Sequence, residues 1–166
     1  MIIITIIGLD QSTKKSGYSI WIDGKPIYHG VLDSNVKENN YIKRIKITSD
    51  LIEQLIDKYK PDYVAIEGVQ YQRNLETYHQ LSCNQGCIMD LLFKRHIPFE
   101  IVPVNRWRSY NGIKGNEKRE KQKATAIALV QKLYNIEVSD DESEAILIGR
   151  YVAEKSNYKG EIEYDS

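Results

Sequence analysis

The chain has 166 residues, the size of one domain, since folded domains mostly run about 100–150 residues and seldom divide below ~250. Hydrophobic residues make up 42% and charged residues 28%, which excludes disordered and collagen-like chains, and no apolar run approaches the ~20 residues of a membrane span. Basic and acidic side chains number 23 each, a net charge of zero that, as a total, argues against a nucleic-acid partner.

Residues 2–9 are β-branched and almost wholly apolar, as a strand buried on both faces should be. This opening stretch has no basic leader and runs into Gly8-Leu9-Asp10, so it reads as neither a secretion signal nor an anchor. Tyr18-Ser-Ile-Trp-Ile22 alternates and is joined by Asp23-Gly24 to Pro26-Ile-Tyr-His29, the pattern of a hairpin. Ile42, Ile45, Ile52, Leu55 and Ile56 recur at helical spacing in a segment that Pro61 closes. Tyr63-Val-Ala-Ile66 reads as a second buried strand, residues 74–95 as a helix, and Pro98–Val102 as another strand. Residues 117–134 and 140–155 read as two further helices. The order predicts a single α/β domain over residues 1–166, with a mixed five-stranded sheet (three antiparallel strands, then two parallel) flanked by helices. Cys83 and Cys87, with no secretory context, read as reduced, packed thiols of a cytoplasmic protein; with His79 they make only a weak metal-ligand array.

Four carboxylates stand at the ends of elements. Asp10 follows the first strand and Glu67 follows the second buried strand. If those strands pair in parallel, both acids emerge at the carboxyl edge of the sheet, where α/β ligands bind. The third element is Ser139-Asp-Asp-Glu-Ser-Glu144, where Asp141 and Glu144 share a helix face at i,i+3, as do Asp140 and Glu144 at i,i+4. Ser139 with Glu142 also reads as a capping box, and acids in a first turn suit the helix dipole. That explanation covers Ser139 and Glu142 and does not require the other carboxylates. Asp10, Glu67, Asp141 and Glu144 together form an oxygen-only donor set, which suits hard Mg²⁺ or Mn²⁺. Two such ions ~3.5–4 Å apart can clamp a phosphodiester for in-line attack.

Gly8-Leu-Asp10-Gln-Ser12-Thr13-Lys-Lys-Ser-Gly17, Ile66-Glu67-Gly-Val and Asp140-Asp141-Glu-Ser-Glu144-Ala145, in this order, resemble the RuvC family of Holliday-junction resolvases, most closely its phage-encoded branch. The resemblance spans nearly the whole chain and rests on the ordered set. It implies an RNase H-like fold, a homodimer, and Mg²⁺-dependent nicking of two like strands across a four-way junction, here in a phage-infected bacterial cell. Carried over by position, Asp10, Glu67, Asp141 and Glu144 resemble the family's ligands to two ions, and Lys121, with Lys118 as a second candidate, its basic residue beside the scissile phosphate. Two departures stand out. The family's last acidic position is usually Asp, whereas this chain has Glu144, so Asp140 is a candidate to share the site. Where bacterial members carry a wedging Phe three residues after the strand-end Glu, this chain has Gln70 beside Tyr71, and Tyr71 reads either as a base-stacking residue or as an exposed loop aromatic.

Gly8-Leu-Asp10-Gln-Ser-Thr also resembles the first phosphate loop of actin-like ATPases and sugar kinases, but the chain has length for one lobe only and that reading leaves Glu67, Asp141 and Glu144 unemployed. A non-catalytic DNA-binding domain is the other alternative. Between Asn105 and Lys123, seven basic residues (Arg106, Arg108, Lys114, Lys118, Arg119, Lys121, Lys123) face two acids, net +5, with Trp107 and Tyr110 interleaved and Gly112 and Gly115 nearby. This reads as a pliable basic loop and helix for phosphate contact and base stacking. Residues 137–166 carry nine acids against three bases, so the zero total hides a segregated chain. Leu81, Cys83, Gly86, Cys87, Met89, Leu91 and Leu92 put small and apolar residues on several faces of the helix over residues 74–95. Burial between sheet and helix, or packing on a second copy, would each explain this; the resemblance favours the second copy.

Overall fold

The computed structural model describes residues 3–155 apart from Val36. Residue 2 of the first expected strand, and residues 156–166 of the acidic C-terminal segment, therefore lie outside the described residues. The elements run β1 (Thr5–Asp10), β2 (Lys15–Ile22), β3 (Lys25–Asp33), α1 (Tyr41–Tyr59), β4 (Tyr63–Glu67), α2 (Leu75–Lys94), β5 (Phe99–Val102), α3 (Val104–Tyr110), α4 (Arg119–Tyr134) and α5 (Asp140–Lys155).

One five-stranded sheet has the order β3-β2-β1-β4-β5. The β1–β2 and β2–β3 pairs are antiparallel, and β4 joins β1 and β5 in parallel. The hairpin turns at Asp23-Gly24, both at positive φ (48° and 77°), the backbone that a tight two-residue turn requires. Asn40 caps α1 by accepting from the Ile42 and Lys43 amides, and Asn74 caps α2 by accepting from Thr77.

Strand alternation sorts the core into two layers. Ile7, Leu9, Val64 and Ile66 pack with Ile52, Ile56, Ile88 and Leu92 of α1 and α2 on one face. Ile6, Ala65 and Val102 face Trp107, Ala126, Val130 and Ile146–Ile148 of α3, α4 and α5 on the other. Asp10 and Glu67 fall two residues beyond Gly8 and Ala65, so the period of two assigns them to the α5 side. Leu9 pairs with Ile66 in the parallel register, and the two acids come next at the same edge.

α5 lies directly on β1 and β2. A Cβ at Gly8 would stand 2.5 Å from the Ala145 carbonyl oxygen, and one at Gly17 would stand 2.1 Å from that of Asp141. Ser19 Oγ donates to the Ala145 carbonyl at 2.7 Å, tying the helix to β2. Only a chain without side chains at these two points lets the helix start so close to the sheet edge.

The segment expected as a pliable basic loop is in part helix. α3 occupies Val104–Tyr110, and Trp107 is fully buried rather than available for stacking on a base. Pro103 at the N-cap and the apolar pair Val104/Trp107 at i,i+3 make that short helix a plug in the core.

Candidate metal centre

Three carboxylates converge where β1, β4 and α5 meet. Asp10, Glu67 and Glu144 each offer an oxygen, and these oxygens lie within 4.8 Å of one another. The strands deliver Asp10 and Glu67 at the sheet's carboxyl edge, and the close seating of α5 brings Glu144, in its second turn, over them. Glu144 is only 3% exposed.

Such a cluster is electrostatically incomplete. Burial, followed by the charges of Glu67 and Glu144, holds the Asp10 carboxyl well above the usual carboxylate range. Burial and Glu144 push Glu67 up to about 7, against the opposing pull of Trp107, Arg108 and Arg119. Trp107 Nε1 donates to Glu67 Oε2 at 2.8 Å and fixes that side chain's rotamer. Arg119 reaches in from the surface, its Nη2 lying 2.6 Å from Glu144 Oε1 and 2.8 Å from Oε2. Two guanidinium groups, Arg119 in contact and Arg108 beside it, against three acids still leave an excess of negative charge. An all-oxygen, half-buried anionic cluster with raised proton affinity is the donor set that a hard divalent cation completes, so the residues fit Mg²⁺ or Mn²⁺.

The other acids of α5 are used differently. Asp141 is not among the three converging carboxylates, although burial and its acidic neighbours Asp140 and Glu144 raise its pKa. Asp140 pairs with Lys123 at 2.7 Å, which holds its carboxyl below the ordinary range. Ser139 and Glu142 form the capping box: Ser139 N donates to Glu142 Oε2 at 3.0 Å, and Glu142 N donates to Ser139 Oγ at 3.3 Å. Glu142 also meets His29 Nδ1 at 2.8 Å. Glu144, longer than the expected Asp, thus occupies the cluster without help from Asp140.

The basic residues divide. Arg119 touches the cluster and Arg108 lies beside it, its guanidinium stacked over Trp107 at 5.4 Å and its pKa lowered by burial and by Arg119. Lys121 pairs with Glu117 at 3.1 Å on the exposed side of α4, so the cation that meets the acids is Arg119. Arg106, Lys114 and Lys118 are exposed. Tyr110 donates to Glu154 and packs edge-on against Tyr151, so it belongs to the α3–α5 contact. Tyr71 is 62% exposed and stands edge-on to Tyr78, beside a cleft of about 480 Å³ whose walls include Gln11, Glu67, Gln70, Arg108 and Arg119. On α2, Asn84, Ile88 and Leu92 are buried, whereas Leu75, Tyr78, Gly86, Cys87 and Phe93 are exposed. His79 Nε2 lies 3.8 Å from Cys83 Sγ, but among the described residues only the three acids form a group able to hold an ion.

Sequence reasoning missed Trp107 as a partner of Glu67, and Gln11, whose amide bonds Gln85 at 3.0 Å and Asn84 at 2.9 Å, linking the loop after β1 to α2. Gln11 directly follows Asp10, and that adjacency was the available signal. A Trp among arginines carried none.

Comparison with known proteins gives a consistent result. Residues 6–149 match the family model described as crossover junction endodeoxyribonuclease RuvC. The RuvC protein of Petrotoga mobilis is 28% identical over 148 residues, covering 86% of this chain and 89% of the relative. That of Fusobacterium nucleatum is 30% identical over 150 residues, covering 86% and 76%. Among solved structures, Thermus thermophilus RuvC in complex with a Holliday junction substrate superposes with a TM-score of 0.72 at 12% identity, over 90% of this chain and 93% of that one. The yeast mitochondrial Holliday junction resolvase Ydc2 gives 0.55 at 17% identity, over 90% and 78%.

Proposed function

The chain belongs to the crossover junction endodeoxyribonuclease RuvC family and has its RNase H-like fold, and from that premise we propose that it is a metal-dependent, structure-selective endonuclease that nicks Holliday junctions and other branched DNA. The observation that carries the reading is the convergence of Asp10, Glu67 and Glu144 at the carboxyl edge of two parallel strands. Neither an ATP-binding lobe nor a non-catalytic domain has a use for three acids, one buried and two partly buried, that repel one another.

Asp10, Glu67 and Glu144, with Asp141 at the margin, are the proposed ligands for two Mg²⁺ or Mn²⁺ ions. These residues would hold the ions, which would supply Lewis acidity for hydrolysis of the phosphodiester. Trp107 keeps one Glu67 oxygen committed, so the other is the oxygen presented to the site. Arg119 holds Glu144 and, with Arg108 behind it, offsets negative charge brought by the DNA. Lys118, Lys114 and Arg106 give the exposed rim a positive field for the flanking backbone, with Lys121 and Lys123 beside them in ion pairs to Glu117 and Asp140. Tyr71, exposed and edge-on to Tyr78 of the cleft wall, is available to stack on an unpaired base.

Nicking two like strands requires two sites on one junction, so the reading includes a homodimer. The exposed apolar and small residues of α2 support that helix as its contact. No helix among the described residues is long and apolar enough to cross a membrane, and the setting on this reading is the cytoplasm of a bacterial cell, phage-infected as the motif resemblance implies.

The test is incubation of the purified protein with a labelled four-way junction and Mg²⁺ or Mn²⁺. Paired nicks that vanish in Asp10→Asn while junction binding persists are expected. Intact DNA across all branched substrates with both metals would overturn the reading.

A further inference from the structure

Arg44 sits in the first turn of α1 and is 5% exposed. Its Nη1 donates to the Glu38 carbonyl at 2.7 Å and its Nη2 to Gln80 Oε1 at 3.3 Å, while Nε has no partner among the described residues. Among the described residues no carboxylate pairs with it. A buried cation without a counter-ion is costly, and a first helical turn, where the dipole is already positive, is the least favourable place on a helix for it. The side chain lines a cleft of about 540 Å³ that also receives Ser12, Lys14, Asn39 and Thr77. Lys14 is exposed and forms no ion pair among the described residues. One acid, Glu76, faces the same space, but its carboxylate accepts from Gln80 Nε2 at 3.2 Å. The charges therefore sum to one excess positive, with donors of three kinds: a guanidinium fork, an ammonium and hydroxyls.

We propose that this cleft is a phosphate-binding subsite, separate from the metal centre, that takes an internucleotide phosphate of the DNA strand flanking the scissile position. The cleft shares Thr77 and Leu81 with the wall of the one that reaches Glu67, and Ser12–Lys14 follow Asp10 by two to four residues, so one strand can lie along both. The Arg44 N–H groups not spent on Glu38 and Gln80, beside the exposed ammonium of Lys14, match the tetrahedral oxygens of a phosphate diester. The contact positions the backbone and carries no sequence information. The inference rests on the nuclease reading for its ligand.

The experiment measures fluorescence anisotropy of a labelled four-way junction in Ca²⁺, from about 50 to 200 mM salt, for wild type, Lys14→Ala and Arg44→Gln, with Mn²⁺ binding to the DNA-free protein followed by electron paramagnetic resonance. Each variant should weaken junction binding about 3- to 10-fold and lower the salt slope by about one, with Mn²⁺ affinity unchanged. A folded Arg44→Gln and a Lys14→Ala that both keep the wild-type slope and affinity overturn the subsite. If Arg44→Gln does not fold, a Lys14→Ala with the wild-type slope overturns it alone, and a lowered slope supports it. Wild-type protein that binds and cuts the junction while the variants behave identically sinks this inference only; wild-type protein that binds no branched DNA sinks the nuclease reading with it.

Discussion

Glu67 carries three constraints in one side chain: it ends a buried strand, it receives the indole N–H of Trp107, and it faces Glu144. The strand end was legible in the sequence, because a carboxylate closing Val64-Ala-Ile66 has no role in an apolar core. The indole was not legible, since Trp107 lies forty residues away among arginines and its local context resembles a basic loop. Trp107→Phe separates the two roles. Phe retains most of the buried volume but leaves Glu67 Oε2 without its donor, and hydrogen bonds to charged groups are worth about 1.5–3 kcal/mol. Metal affinity should fall about 10- to 100-fold, as it does when partners of ligands are removed, with a far-ultraviolet circular dichroism spectrum like wild type. Titration calorimetry with Mn²⁺ is the measurement; unchanged affinity would show that the indole only packs. Lys121 is the counterpart case. Its match to the family's basic position suggested the reacting phosphate, yet in the structure it pairs with Glu117 and Arg119 reaches the acids, because two steps along α4 turn a side chain by about 200°.

Among the elements, α5 decides the site. Its start was legible from Ser139 and Glu142, and the structure contains that capping box. Its distance from the sheet was not legible, because it depends on which glycines face which carbonyls. Gly8→Ala places a methyl 2.5 Å from the Ala145 carbonyl oxygen, so α5 must lift off β1. Overpacking of this kind costs about 1–3 kcal/mol, and here it also draws Glu144 away from Asp10. The expected result is a protein that melts several degrees lower and loses junction cleavage out of proportion to the stability lost. Full cleavage in Gly8→Ala would show that the helix position is not limiting. α3 teaches the complementary lesson: seven residues with Arg106, Arg108 and Gly112 nearby read as a loop, but burial of Val104 and Trp107 outweighs what local composition suggests.

Across the whole molecule, the acid cluster sets how stability depends on pH. Glu67, at about 7 in the folded state and 4.5 as a free side chain, keeps a proton between those values that the unfolded chain has released. Stability of the metal-free protein is therefore highest below about 4.5 for this group and falls as pH rises through 7, by at most a few kcal/mol. Asp10 acts in the same direction, whereas Asp140 and Glu142, held below their ordinary values, lose their stabilising effect only as the solution becomes more acidic. Melting curves in EDTA at pH 5 and pH 8 should differ in that sense, and Mg²⁺ at pH 8 should restore most of the loss; an EDTA-treated protein equally stable at both would contradict the electrostatics. The proposed dimer belongs to this scale too. Gly86 is exposed on α2 with open space about its Cα, so Gly86→Arg should leave the monomer fold and Mn²⁺ binding intact while light scattering reports loss of the dimer. A wild-type protein that is monomeric at micromolar concentration would remove that contact from the reading. The sequence by itself determined the order of the five strands and the four longer helices, the mixed sheet and the two strand-end acids, because hydrophobic period and chain punctuation are local properties. It also showed that a zero net charge conceals a basic segment. Only the tertiary structure decided that Glu144 meets Asp10 and Glu67 within 4.8 Å, that Trp107 is a core residue bonded to Glu67, and that Arg44 lies buried with no carboxylate paired to it among the described residues. Each of these depends on which side chains meet across the gap between a helix and a sheet, and that gap is set by packing between residues far apart in the chain.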